Sequence, residues 1–203
     1  DYFATEDVTL KFGFEVSNYL FDYKNIYTGE DDTTGNDAVE EGMINIDIVD
    51  WNYSAFAQFN YLINEVFSIQ GGIRASYWDF SRYTTYDPRL ALKYRINEDL
   101  AIKAAYGIYH QNLRLAAQPD FSFFDTWLPT DTTLKPSRSD HYIFSIETYP
   151  FEGFIFNFDV YYKTFHNISE LDRNILGAST ASDVLLMGDA ESYGLELYIQ
   201  KSY

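Results

Sequence analysis

Leu100-Ala101-Ile102-Lys103-Ala104-Ala105-Tyr106-Gly107-Ile108-Tyr109 is the stretch on which the reading of the chain turns. At a period of two, one face carries Leu100, Ile102, Ala104, Tyr106 and Ile108, and the other Ala101, Lys103, Ala105, Gly107 and Tyr109. One side is apolar and the other accepts a charge and small residues, the signature of a strand with two different surroundings. It is also long, running from an Asn97-Glu98-Asp99 turn to Gln111-Asn112. Soluble strands average about five to six residues, whereas a strand crossing a bilayer obliquely takes roughly ten.

The same form recurs on both sides. Strands are expected at about 7–22 (Val8, Leu10, Phe12, Phe14 and Val16 on one face), 51–63, 66–79, 84–96, 137–149 and 154–166, with a last one ending the chain around Tyr193, Leu195, Leu197 and Ile199. With 100–111 this makes about eight. Between them, 23–50, 113–136 and 167–189 read as long loops, the second broken by Pro119, Pro129 and Pro136. Asn64-Glu65, Asn97-Glu98-Asp99 and Pro150-Phe151-Glu152-Gly153 read as tight turns. Long and short connections thus alternate, as in a barrel with short turns on one side of a membrane and long loops on the other. The fold class is all-β, an antiparallel transmembrane β-barrel.

Composition agrees with this and excludes other classes. No run approaches the eighteen or so consecutive apolar residues of a membrane-spanning helix. Mean hydropathy is slightly negative, which a barrel tolerates because every second strand residue faces its lumen. The 19 Tyr and 17 Phe fit aromatic girdles at the two interfaces. A net charge of -17 excludes general affinity for nucleic acid. Nine of the acids (Asp22, Glu30, Asp31, Asp32, Asp37, Glu40, Glu41, Asp47, Asp50) fall within 22–50 against one base, Lys24. There is no cysteine, so neither disulfides nor thiolate chemistry enters. The opening Asp1-Tyr2-Phe3 shows no signal peptide, and Lys201-Ser202-Tyr203 reads as a strand interrupted; a piece of a larger barrel is expected.

Four ordered stretches carry a family resemblance. They are Tyr86-Asp87-Pro88-Arg89-Leu90-Ala91-Leu92-Lys93-Tyr94, Tyr106-Gly107-Ile108-Tyr109-His110-Gln111, Leu134-Lys135-Pro136-Ser137-Arg138-Ser139-Asp140-His141-Tyr142 and Ala190-Glu191-Ser192-Tyr193-Gly194-Leu195-Glu196-Leu197. In this order they resemble the barrel of TonB-dependent outer-membrane receptors of the kind common in Bacteroidetes. The resemblance implies part of a 22-strand barrel in the outer-membrane lipid and no enzyme activity. It implies uptake of a small ligand (an iron chelate, cobalamin or an oligosaccharide) with energy from the TonB complex, reached through a plug segment not present in these residues. On this reading residues 1–203 belong to a single barrel domain. A small independent eight-strand barrel and a soluble ligand-binding β-protein remain as alternatives.

No stretch has the spacing of a catalytic or metal site; His110, His141 and His166 are far apart, and no cofactor is implied. Asp31-Asp32-Thr33-Thr34-Gly35-Asn36-Asp37 lacks the spacing of the twelve-residue calcium loop and reads as a solvated loop. Phe121, Phe123, Phe124 and Trp127 form an aromatic cluster on an outer loop, suited either to stacking on a ligand or to packing on the loop's own base. Arg74, Arg89, Lys93, Arg95 and Lys103 fall on the lumen parity of consecutive strands, with Glu147, Asp159 and Glu196 as acids of the same parity. Charge pairing across the lumen wall is their expected role, ahead of guiding a ligand. Gly71, Gly72 and Gly107 are expected to relieve crowding or curvature in the wall.

Overall fold

The computed structural model describes residues 2–30, 39–116, 126–171 and 185–201. These form eleven strands: β1 (Tyr2–Phe3), β2 (Val8–Glu30), β3 (Val39–Asn64), β4 (Phe67–Trp78), β5 (Tyr83–Asn97), β6 (Leu100–Gln111), β7 (Leu113–Ala116), β8 (Thr126–Pro129), β9 (Ser137–Thr148), β10 (Phe154–Leu171) and β11 (Leu185–Lys201). The eight long strands expected are β2–β6 and β9–β11; β1, β7 and β8 are additional. Nine strands make one antiparallel sheet in the order β1-β2-β3-β4-β5-β6-β9-β10-β11, and β7-β8 form a separate hairpin inserted between β6 and β9. Every neighbour in the main sheet except β6-β9 is also next in sequence. Among the described residues the sheet is open, with no pairing of β1 to β11.

Three expected loops are shorter than the sequence reading had them. The acidic stretch 23–50 is mostly strand: β2 runs to Glu30 and β3 starts at Val39, paired continuously from Tyr19↔Asp50 to Glu30↔Val39. Charge density reports that a segment is solvated, but two arms of equal length still satisfy each other's N–H and C=O groups. Residues 113–136 contain the β7-β8 hairpin, paired from Leu113↔Pro129 to Ala116↔Thr126. In 167–189, β10 continues to Leu171 and β11 begins at Leu185 after a register shift between Phe165 and Ile168. Asn167 sits at that shift with φ 54°, a conformation asparagine accepts more readily than most residues.

Among the described residues the sheet has no packed interior. The buried hydrophobics among the described residues are Ala101, Leu128, Leu134 and Leu185. The accessible surface is 13973 Å², against roughly 9,800 Å² for a compact soluble chain of this mass. Among the described residues nothing covers the Leu100–Ile108 row; register continues it across the wall instead. Tyr94↔Ile102↔Ile146↔Phe158↔Leu197 and Leu92↔Ala104↔Phe144↔Val160↔Leu195 are consecutive apolar rows. The next row toward the long-loop end is Tyr106↔Tyr142↔Tyr162↔Tyr193. Its rings lie 4.9 Å (Tyr106–Tyr142) and 6.2 Å (Tyr142–Tyr162) apart, and Tyr106 Oη donates to Asp140 at 3.0 Å. At the short-turn end Phe67 packs on Tyr94, and Phe151 on Phe154. From Phe154 to Tyr162 along β10, a rise of about 3.4 Å per residue at a tilt of about 40° spans roughly 20 Å. That approaches the roughly 25 Å of a lipid-facing band with an aromatic girdle at each edge.

Gly13, Gly71, Gly107 and Gly194 each sit against a neighbouring aromatic ring. A Cβ at Gly71 would fall 2.6 Å from the Phe59 ring, and one at Gly194 would fall 2.6 Å from Tyr161 Oη. Crowding is therefore the role of Gly71, as expected. Gly194→Val should lower barrel stability by about 1–3 kcal/mol by displacing Tyr161. Gly188→Val on the same strand, where a Cβ meets nothing within 4 Å, should be close to neutral. Heat-dependent mobility of the folded barrel on a gel measures both, and equal effects would refute the ring-over-glycine account.

Candidate outer-mouth binding site

The polar face is built from the alternate residues of the same strands. One group lies toward the short turns. Lys93 and Lys103 are direct cross-strand partners, and two such charges facing each other repel unless neutralised. Glu147 supplies the neutralisation: Lys93 Nζ donates to Oε1 at 3.0 Å and Lys103 Nζ donates to Oε2. Asp159 and Glu196 do not meet these bases. They lie opposite each other in the β10-β11 register, and neither has a described ion pair. Arg95, opposite Ala101, has no described ion pair either.

A second group lies toward the long connections, where the wall changes construction. The β5-β6 ladder stops at Arg89↔Gly107, next to Pro88, which has no N–H to give. Beyond this point β5 pairs only with β4, and β6 only with β9. Side chains close the seam. His110 Nδ1 lies 2.6 Å from Asp87 Oδ1, and the Asp87 side chain is 9 % exposed. Arg89 stands 4.6 Å over the Tyr109 ring, and Arg74 donates to Glu15 at 3.0 Å.

Around the seam lies a recess of about 260 Å³, lined by side chains of β2–β6 and by Asn112. Tyr19 and Trp78 pack at 5.4 Å on one side of it. The buried side chains Asn52, Ser76, Thr85, Asp87 and Asn112 form much of the rest. Arg74, Asp87, Arg89 and Tyr109 also line a larger recess, about 430 Å³, further down the same face. There His141 packs on Tyr109 at 4.6 Å, and its Nε2 lies 3.0 Å from Ser139 Oγ.

The β7-β8 hairpin is fastened over this end. Arg114, 2 % exposed, donates to the carbonyl of Asn167 at 2.6 Å and to that of Lys135. Burial pushes its guanidinium below its ordinary value, and carbonyl dipoles stand in for a counter-ion. Ser137 Oγ donates to the same Asn167 carbonyl, and the Asn167 amide donates to Asp189. Thr130 donates to Asn112 through both its amide and its hydroxyl. Asp50, fully buried, accepts from the Phe80 amide at 3.0 Å; burial raises its carboxyl above the usual range, and Asp79 nearby adds to the rise.

Asp131 caps the segment after β8, accepting from the Thr133 amide and hydroxyl and the Leu134 amide. Partial burial raises this carboxyl, and those hydrogen bonds outweigh it, so it ends below its ordinary value. A depressed carboxyl stabilises above its unfolded pKa, and the contribution disappears as pH falls through the folded one. Asp131→Ala should therefore speed protease cleavage within 113–136 at neutral pH and make no difference in strong acid. A pH-independent effect would contradict this.

Of the aromatics expected on this loop, Trp127 is described, 49 % exposed on β8. Phe121, Phe123 and Phe124 lie outside the described residues. The sequence reading did not single out Tyr19, Asn52, Trp78 or Asn112 as site residues. A signal was available for two: Tyr19 follows Lys11, Gly13, Glu15 and Ser17, and Trp78 follows Gln70, Gly72, Arg74 and Ser76, on parities that are otherwise polar or glycine over those stretches.

The family model described as TonB dependent receptor-like, beta-barrel, matches residues 1–202. Among solved structures, the siderophore receptor PirA from Pseudomonas aeruginosa superposes with a TM-score of 0.65 at 16% identity, over 97% of this chain and 34% of that one. A variant of the ferric enterobactin receptor PfeA from the same organism gives 0.62 at 18% identity, over 94% and 30%. The alcaligin receptor FauA from Bordetella pertussis gives 0.51 at 13% identity, over 96% and 37%. The chain thus spans about a third of the length of these structures, and the likeness is one of fold. No curated protein sequence matches it.

Proposed function

Because the chain belongs to the TonB-dependent receptor-like β-barrel family, an outer-membrane family of transport receptors rather than enzymes, we propose that it is one stretch of a single receptor barrel that takes up a small ligand. The ligand is captured at the long-connection end and carried inward with energy from the TonB complex, through a plug segment elsewhere in the protein. One observation carries the reading: a single sheet with an uncovered apolar band on one face and recesses walled by charged and hydrogen-bonding groups on the other. A wall of this kind separates lipid from an aqueous passage.

Trp127, with Phe121, Phe123 and Phe124 in the same connection, makes first contact with the ligand. Arg74 and Arg89 lie along its way inward. Glu147 with Lys93 and Lys103 holds the wall, and Arg95, Asp159 and Glu196 remain to meet the plug. The relatives named for siderophores make an iron chelate one ligand class, beside cobalamin and oligosaccharides. The test is uptake by cells making the full-length receptor, using labelled ferric enterobactin, cobalamin and a set of oligosaccharides, with and without a protonophore. Accumulation of one class that stops when the protonophore is added supports the reading. Indiscriminate or energy-independent entry of all three contradicts it.

A further inference from the structure

We infer that the 260 Å³ recess binds an uncharged, hydroxyl-rich ligand, a sugar unit of an oligosaccharide, rather than a polyanionic iron chelate; this rests on the transport reading and names its cargo. The first ground is charge. In the recess Glu15 is paired with Arg74, and Asp87 with His110. Arg89 is the lining cation without a described carboxylate partner, and it lies over the Tyr109 ring. A ligand with several negative charges would find one cation where it needs several. The approach is also acidic, because the β2 and β3 arms beyond the recess carry Asp22 and Asp47, exposed and directly opposite each other. Such a mouth slows anions and leaves an uncharged ligand unaffected.

The second ground is the chemistry of the lining. A sugar ring offers C–H patches to aromatic faces and hydroxyls that both donate and accept. The Tyr19–Trp78 pair supplies the faces. Asn52, Thr85, Asp87 and Asn112 supply short polar groups of both kinds, on strand backbone that holds them in place. One of them is left incomplete. Asn112 is 3 % exposed, its Oδ1 already accepts from Ser81 and Thr130, and its Nδ2 has no partner among the described residues. A buried amide donor in a recess wall is a place for an acceptor oxygen, and a ligand hydroxyl provides one without bringing charge.

The test uses the full-length receptor in outer-membrane vesicles, probed with an array of neutral and acidic oligosaccharides and with ferric enterobactin as the anionic chelate. At least one neutral oligosaccharide should bind, with affinity indifferent to salt. Trp78→Ala and Asn112→Leu should each weaken that binding by about tenfold or more. Trp78→Phe should keep most of it, and Tyr193→Ala on the lipid-facing side all of it. Heat-dependent gel mobility identifies variants that have lost the barrel, and Trp78→Phe still tests the aromatic face if Trp78→Ala is among them. Binding of ferric enterobactin or acidic oligosaccharides alone overturns the inference, as does a folded receptor that binds no oligosaccharide. Energised uptake of ferric enterobactin would overturn the cargo and keep the transport reading. Neutral oligosaccharide bound but never taken up would do the reverse.

Discussion

Glu147→Ala is expected to lower the stability of the receptor barrel by about 3 kcal/mol, the largest loss from any charge removed on the polar face. Glu147 is 9 % exposed, and its two oxygens hold Lys93 and Lys103. The lysine side chains are more than a third exposed, so water recovers part of what each loses, and the cost stays below that of a fully buried pair. The lysines are also direct cross-strand partners, so removing the acid leaves two like charges facing each other. Glu147→Gln should fall between, keeping acceptor geometry without charge. In a Lys103→Met background the same alanine substitution should cost clearly less, because the repulsion is already gone. Glu196→Ala gives the contrast: it faces Asp159, so its loss relieves repulsion and should leave stability unchanged or slightly raised. Unfolding midpoints by heat-dependent gel mobility measure the series, and equal losses for Glu147→Ala and Glu196→Ala would defeat the argument.

The sheet was legible because a two-residue period survives in single residues. Leu100, Ile102 and Ala104 predict their own row, and register then carries it to Phe144, Val160 and Leu195. The extra length of β2 and β3 was hidden for a different reason. Beyond Asp22 the alternation no longer separates oil from water, although Ile44, Ile46 and Ile48 still alternate with Asn45, Asp47 and Val49.

The site was less legible, because it depends on where pairing stops. Pro88 in Tyr86-Asp87-Pro88-Arg89 marks a missing ladder donor but not which neighbour β5 leaves there, and the seam on the β6 side is what lets Asp87 reach His110. The stretches that carried the family resemblance acquire physical roles only in the fold. Gly107 faces Arg89 at the last rung of the ladder. Ser137 holds the Asn167 carbonyl, and Tyr193-Gly194 places one residue in the girdle and the next beneath Tyr161. Pairing of charge was the expected use of the cationic residues. Lys93, Lys103 and Arg74 are paired, Arg89 rests on a ring, and Asp159 and Glu196 face each other because β11 follows β10 with no base between them.

Phe144→Arg and Ser145→Arg put the same charge on adjacent residues of β9 and should differ by about 2–4 kcal/mol. Phe144 is in an apolar row inside the band, between Ala104 and Val160 and one row in from the tyrosine girdle. An arginine there must lie in hydrocarbon or bend toward a headgroup, and the cost is greatest at mid-depth. Ser145 points to the opposite face, between Lys103 and Asp159 in register. An arginine at that position gains Asp159, meets repulsion from Lys103 and stays hydrated, so a change within about 1 kcal/mol is expected. Tyr142→Arg, one row toward the long connections in the tyrosine girdle, should cost far less than Phe144→Arg because its charge reaches the interface. Refolding the full-length receptor into bilayers across a denaturant series measures all three. In a soluble protein whose apolar face waits for a second layer, Phe144→Arg and Tyr142→Arg would cost alike and depth would have no meaning. A steep difference between Phe144 and both of its neighbours in this set requires lipid on one side of a one-layer wall and water on the other.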